Sequence, residues 1–167
     1  MVSTTGGGHM RRRIVLLQPG ASQSIDVLGN PGPGFNLPVL DAFEMLDGLS
    51  VVVDDVIYMP SLDHPEDRPH PFVYFIKIRN NSDQRVSIQG RKWLVHEDQT
   101  GELLVVEGDG VVGQKPNLGP GEEFSYNSYH VARGSGHAEG TFFGLTESGR
   151  RVCVRIPRFK MQLPEWA

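Results

Sequence analysis

The chain has 167 residues, which is enough for one domain with extensions. Hydrophobic residues make up 38% and charged residues 22%, as in a soluble globular protein, and a net charge of −4 speaks against general nucleic-acid binding. Because there is a single cysteine and no apolar run of the ~20 residues that a membrane helix needs, we expect a cytoplasmic protein without disulfides and without a membrane partner.

Residues 1–48 are predicted to form a Gly- and Pro-rich extension. Residues 29–34 (GNPGPG) cannot hold regular structure, since Pro lacks the backbone donor and Gly keeps too much freedom. Asp41 and Glu44 have the spacing of a capping box, and three apolar residues around them share one helical face. This spacing predicts a short helix over 40–47, with an extended lead-in strand as the alternative.

From residue 49 onward the pattern changes to short apolar runs separated by turn signals every ~8–12 residues. Bulges are expected at Asp54–Asp55 and at Gly90, and the second of them moves Trp93 onto the inner face. The predicted strands are 49–59, 72–79, 86–97, 103–107, 123–128, 137–145 and 151–156. Seven such strands predict an all-β fold, a two-sheet β-sandwich spanning 49–163 with a tail at 164–167.

The last predicted strand alternates cleanly between apolar and polar residues. Val152, Val154 and Ile156 fall on its inner face by parity. Cys153 then faces outward, and nothing around it in the sequence suggests a reactive thiol. We therefore interpret Cys153 as structural.

The spacing of Gly108, Gly110 and Gly113 spells G-x-G-x-x-G, a pattern typical of phosphate-binding loops. A dinucleotide fingerprint places that loop at the N-terminus of a helix, whose backbone amides face the pyrophosphate. Pro116 and the Gly119-Pro120-Gly121 run that follows it forbid such a helix. A Rossmann site is therefore excluded, and so is a P-loop, because its Gly-Lys-Ser/Thr ending is absent.

A weaker form of anion binding remains open at these glycines. Successive amides of a Gly-rich turn can form an anion nest without a helix, and Lys115 and Arg91 could add positive charge. Glu107 and Asp109 would repel phosphate. The alternative is that the three glycines only allow positive φ and bulges at the edge of a sandwich.

Other polar clusters have a commoner structural meaning. The loop with His64, Glu66, Asp67 and His70 has metal-ligand side chains, but a solvated loop is the simpler interpretation. Two histidines and two serines between residues 128 and 137 match no nucleophile motif such as G-x-S-x-G. We expect no catalytic residues, no metal and no cofactor, and hence no enzyme.

The order and spacing of several motifs resemble the ApaG family. The resemblance covers roughly residues 49–163 and is carried by Gly90-Arg91-Lys92-Trp93, by the glycine-rich run from Val106 to Ser128, by Gly140 and by Ile156-Pro157-x-Phe159. It implies a seven-stranded fibronectin type III-like or immunoglobulin-like sandwich. The family name links its members to cobalt resistance and magnesium efflux, without a settled activity. The segment 129–137 departs from the family pattern, which leaves any function of that corner open.

Three functions follow as hypotheses. The first is a non-enzymatic ApaG-type binding or adaptor domain that recognises a protein partner, for example at an exposed strand edge. The second is a small-ligand protein that binds pyrophosphate, nucleotide or a metal-phosphate complex through Gly108 to Lys115. The third is a hydrolase, for which no acid–base pair is evident. A homodimer through an unpaired edge is a further open alternative.

Overall fold

The structure is a computed structural model that describes residues 24–27 and 42–167, the first range by its backbone alone. These ranges contain β-strands and no α-helix, so no helix in them could cross a membrane. The strands are β1 (Ser24–Val27), β2 (Glu44–Met45), β3 (Leu49–Tyr58), β4 (His70–Asn80), β5 (Val86–Glu97), β6 (Leu103–Asp109), β7 (Asn117–Leu118), β8 (Glu122–Ala132), β9 (Gly136–Thr146) and β10 (Arg151–Met161).

The strands form two sheets, which confirms the predicted all-β sandwich. The larger sheet has the order β1-β6-β5-β9-β10-β2, with β7 also paired to β5, and the smaller sheet has the order β3-β4-β8. Every one of the seven predicted strands is present, as β3 to β6 and β8 to β10. The predicted count of seven was nevertheless too low, because β1, β2 and β7 are segments of two to four residues, too short to show alternation in the sequence.

The core lies between the two sheets. Trp93 is 1% exposed, as predicted, and the register shift between Ile88 and Gly90 confirms the bulge that turns it inward. A second shift, between Val53 and Asp55, confirms the other predicted bulge. The largest fully buried side chains besides Trp93 come from both sheets: Phe72, Phe142, Ile76, Ile78, Ile88, Ile156 and Met161.

The helix predicted over 40–47 was wrong in the part that the structure describes. Residues 40 and 41 lie outside the described ranges, and Glu44–Met45 form the short strand β2, parallel to β10. Phe43 contacts Phe143 of the larger sheet with a ring-centroid distance of 4.9 Å. Glu44 forms an ion pair with Arg150 instead of a helix cap. Pairing with the open edge of β10 and the contact between the two phenylalanines therefore outweigh the capping-box spacing.

A buried ion-pair network fixes the loop between β3 and β4. The guanidinium of Arg68 donates to Glu97 at 2.8 Å and to Glu102 at 3.1 Å. Both Arg68 and Glu97 are almost fully buried, and Glu97 also accepts the backbone amide of Arg133. The network joins this loop to the end of β5 and the corner after β8. Buried charges are stable only when paired in this way.

Candidate binding sites around the glycine loop

The glycine loop ends in a tight two-residue turn. Val111 and Gln114 exchange backbone hydrogen bonds of 2.7 and 2.9 Å around Val112 and Gly113. Both central residues have positive φ, 45° at Val112 and 76° at Gly113, as in a type I′ turn. A β-branched residue is rare in this conformation, so Val112 is strained here.

The other two glycines are required by close approach. Gly110 has a φ of 60°, and a Cβ on it would lie 2.2 Å from the carbonyl oxygen of Gln114. Gly108 lies under the guanidinium of Arg91, where a Cβ would meet the Nη1 atom at 2.9 Å. Two of the three glycines of the motif thus leave room for neighbouring atoms of the protein itself.

The residues of the predicted anion site are near one another in the structure. Arg91 donates from Nη1 to the carbonyl oxygens of Asp109 and Gly110, and the Lys115 side chain passes beside Gly110. Several loop amides already have acceptors: Gly110 donates to Gln89, Val111 to Gln114 and Gln114 to Val111. The amides of Gly110, Val111 and Gln114 therefore already have acceptors within the protein. Anion binding by Gly108, Gly110, Gly113, Lys115 and Arg91 stays a prediction.

A pocket that the sequence did not reveal lies on the outer face of the larger sheet, beside the start of this loop. Its volume is about 270 Å³. We call it the outer pocket; it is lined by Phe43, Gln89, Gly90, Glu107, Gly108, Asp109, Phe143, Gly144, Leu145 and Arg151. Gly90 pairs with Phe143 and Asp109 on this face and carries no side chain, so space opens above it, and Phe43 walls the pocket from the N-terminal side.

The outer pocket is set in an apolar patch. Phe142 faces the core, so its neighbour Phe143 faces outward, yet Phe143 is only 5% exposed because Phe43 covers it. Leu145 is 39% exposed and Met45 is 58% exposed. The adjacent pair Phe142–Phe143 could have indicated this outward apolar patch, because two consecutive phenylalanines in a strand cannot both face the core.

The rim of the outer pocket carries both charges. Glu107 forms an ion pair with Lys92 at 3.2 Å. Asp109 and Arg151 are exposed, and neither has an ion-pair partner within the ranges that the structure describes. One acidic and one basic group are therefore available to a molecule bound at this pocket.

Cys153 lies on the outer face, as its parity predicted, but it is 7% exposed instead of open to solvent. Met45 of β2 pairs with it in the sheet, and the Sγ atom of Cys153 lies 3.6 Å from Sδ of Met45. Burial raises the pKa of the Cys153 thiol, an effect that Arg155 partly offsets. A thiol held in its protonated form is a poor nucleophile, which supports the structural interpretation.

The polar clusters singled out in the sequence are separated in space. His70 bonds to the Tyr58 hydroxyl at 3.0 Å, while Asp67 faces Arg133 at 3.6 Å. Among the described residues no group of three or more His, Cys, Asp or Glu side chains could hold a metal ion. His130 is buried between the sheets, whereas His137 stacks on His96 across β5 and β9 with a centroid distance of 4.5 Å.

A family model and individual relatives place this chain in the same family. The family model described as ApaG domain matches residues 60–145. A protein named ApaG from Methylobacterium nodulans is 36% identical over 118 residues, which cover 70% of this chain and 89% of the relative. Protein ApaG from Acidithiobacillus ferrooxidans is 35% identical over 105 residues, covering 62% of this chain and 82% of the relative.

Solved structures have the same fold. A crystal structure of a Bordetella pertussis protein named ApaA superposes with a TM-score of 0.63 at 30% identity, covering 74% of this chain and 98% of that one. An X-ray structure of a structural genomics target has a TM-score of 0.64 at 30% identity, covering 72% and 90%.

Proposed function

The chain belongs to the ApaG domain family, and we propose that it is a non-enzymatic adaptor domain that binds a partner protein at the outer pocket. The observation that carries this proposal is the apolar patch around that pocket. The outward face of a sandwich strand normally meets water and is polar. Here it presents Phe143, Leu145, Phe43 and Met45 together. Apolar patches rimmed by polar residues are typical of protein-interaction sites.

The size of the outer pocket fits one anchoring side chain. A volume of about 270 Å³ is enough for a large aliphatic or aromatic residue of the partner. Such anchors in well-packed pockets contribute most of the binding energy of many interfaces. We therefore expect a short partner segment with one apolar anchor, in preference to a large flat interface.

The charges at the rim of the outer pocket indicate which partner residues lie beside the apolar anchor. Asp109 would attract a basic residue of the partner segment, and Arg151 would attract an acidic one. Because both groups are exposed, they contribute more to orientation and specificity than to affinity. The proposed partner is thus an apolar anchor with a basic residue on one side and an acidic residue on the other.

The proposal also includes the form of the sandwich, the cellular location and the possible ligands of the domain. A fibronectin type III-like form is supported by the division of the long strands into β3-β4-β8 and β6-β5-β9-β10. A link to cobalt resistance or magnesium efflux is supported by the family name alone, and a cytoplasmic location by the single cysteine. Pyrophosphate or nucleotide binding through Gly108 to Lys115 is the second candidate, supported by the positive φ values of its turn and by Lys115.

Peptide selection tests the proposal without a known partner. A random linear peptide library would be selected on the immobilised full chain, and enriched peptides measured by fluorescence anisotropy. We expect a consensus with one apolar anchor between a basic and an acidic residue. Leu145→Glu should weaken binding about tenfold or more, since it places a charge in the apolar patch.

Ile57→Glu is the matched control. Ile57 is an apolar residue on the smaller sheet and is 36% exposed, close to the exposure of Leu145. It should leave peptide affinity unchanged. The proposal would be wrong if no peptide were enriched, or if Leu145→Glu and Ile57→Glu had equal effects on every enriched peptide.

A further inference from the structure

Three buried polar atoms between the sheets lack a hydrogen-bond partner within the described part of the chain. They are Nε1 of Trp93, the hydroxyl oxygen of Tyr126 and Nε2 of His130. Trp93 is 1% exposed and His130 is 9% exposed, so water outside the protein does not satisfy them. A buried polar group without a partner costs about 1–3 kcal/mol, and three in one region of a core indicate that something else satisfies them.

The three groups belong to side chains whose rings all contact the ring of Tyr74. Its centroid lies 4.7 Å from His130, 5.0 Å from Trp93 and 6.3 Å from Tyr126. Tyr74 and Tyr126 come from the smaller sheet and Trp93 from the larger one. We call this region between β5 and β8 the seam.

Arg91 is directed toward the same seam. It pairs across the larger sheet with Phe142, which is fully buried, and it shares a face of β5 with Trp93 two residues on. No carboxylate of the described residues forms an ion pair with Arg91; its Nη1 atom donates only to the carbonyl oxygens of Asp109 and Gly110. A partly buried cation without a counter-charge is costly, so the seam favours a negative charge.

The pKa values of the side chains in the seam agree with this geometry. Burial, and to a smaller extent the positive charge of Arg91, lower the pKa of His130 to about 3. Burial raises the pKa of the Tyr126 hydroxyl, which Arg91 partly offsets. Tyr126 is therefore a protonated hydroxyl that can donate a hydrogen bond to an anion, and His130 is a neutral imidazole that adds no positive charge.

We propose that the seam binds a small oxyanion, a phosphate or carboxylate group, which accepts hydrogen bonds from Trp93 and Tyr126 and balances the charge of Arg91. An indole N–H can only donate and a guanidinium can only donate, so the ligand must be an acceptor. The seam is on the inner face of β5, whereas the outer pocket is on the opposite face. The two sites are separate, and this inference does not rest on the proposed function.

The indole N–H of Trp93 is a direct reporter of the bound anion. The chain has two tryptophans, so its indole region of a ¹H–¹⁵N spectrum holds two signals, which Trp166→Phe assigns. Inorganic phosphate, pyrophosphate and acetate would be titrated in separate experiments, each against chloride at equal ionic strength. We expect a saturable shift of the Trp93 signal in at least one titration, and the three titrations distinguish phosphate from carboxylate ligands.

Two variants test the assignment of the site. Tyr126→Phe removes a hydroxyl that has no hydrogen-bond partner among the described residues, so it should leave the fold intact and weaken anion binding about tenfold. Arg91→Gln should weaken it at least as much. Lys92→Gln is the control, since Lys92 is the next residue of β5 and pairs with Glu107 on the outer face.

The results that overturn the proposal are equally specific. If the Trp93 signal does not move at millimolar concentrations of any of the three anions, the seam holds an ordered water only. If it moves equally in wild type and in Tyr126→Phe, the anion binds elsewhere. Should Arg91→Gln fail to fold because the glycine loop loses its two hydrogen bonds, the comparison with Tyr126→Phe decides the question.

Discussion

The burial of His130 makes a specific prediction about acid stability. Its ring lies between Tyr74 and Trp93, and burial lowers its pKa from the usual 6.5 to about 3. The unfolded chain therefore binds a proton at this residue below about pH 6.5, while the folded chain does not. The stability present above the unfolded pKa is consequently lost as the pH falls toward the folded pKa.

The size of this loss follows from linkage. Each unit of pH in that interval costs about 1.4 kcal/mol of the free energy of unfolding. At about pH 4.5, two units below the unfolded pKa, the contribution of His130 amounts to a loss of about 2–3 kcal/mol. His130→Phe keeps an aromatic ring beside Phe159 and removes the titration.

The assay is urea unfolding at a series of pH values in chloride buffer, for wild type, His130→Phe and His64→Phe. Carboxylates contribute to acid sensitivity in all three proteins, so the difference in slope between wild type and variant isolates His130. The exposed His64 serves as the control and should leave the slope unchanged. If wild type and His130→Phe lost stability in parallel from pH 7 to pH 4.5, the assignment of a buried neutral imidazole would be refuted.

Three further predictions concern stability and use the same urea assay. Arg68→Met should cost about 3–5 kcal/mol by leaving a buried carboxylate unpaired, whereas Arg79→Met, at an exposed ion pair, should cost about 1 kcal/mol or less; equal losses would contradict this. Gly110→Ala should cost far more than Gly113→Ala, because only the first Cβ meets a backbone oxygen at 2.2 Å, and the reverse order would refute the assigned turn. Val112→Asn should cost less stability than the loss of its apolar contact with the core alone would, since Asn tolerates positive φ; a loss above about 1 kcal/mol would count against strain there.

The sandwich could be predicted because its signals are local. Alternation of apolar and polar residues in a strand such as Arg151–Met161 depends only on the pleat and on one buried face. Glycine and paired aspartates likewise mark bulges within their own strand, as at Gly90. The short strand Glu44–Met45 could not be predicted, since it forms only where β10 offers an open edge more than 100 residues later in the chain.

The candidate sites were harder to predict, because they too depend on contacts between residues that are far apart in the sequence. The outer pocket arises where Gly90 lies between Asp109 and Phe143 of the neighbouring strands, and the sequence does not give this register. The glycine motif was recognisable, but its meaning depends on Arg91 lying over Gly108 and on Gln114 facing Gly110. The seam depends on which polar atoms find partners after folding, and this is a property of the three-dimensional packing alone.

Hydrogen exchange with a selected peptide shows directly whether a partner segment binds at the outer pocket. Amide exchange of the full chain would be followed by mass spectrometry with and without the peptide. We expect slower exchange at residues 89–90, 107–109 and 143–145, which line the pocket, and unchanged exchange along β8, an edge strand of the smaller sheet. Protection along β8 without protection at the pocket would instead indicate strand addition at that edge and would refute binding at the outer pocket.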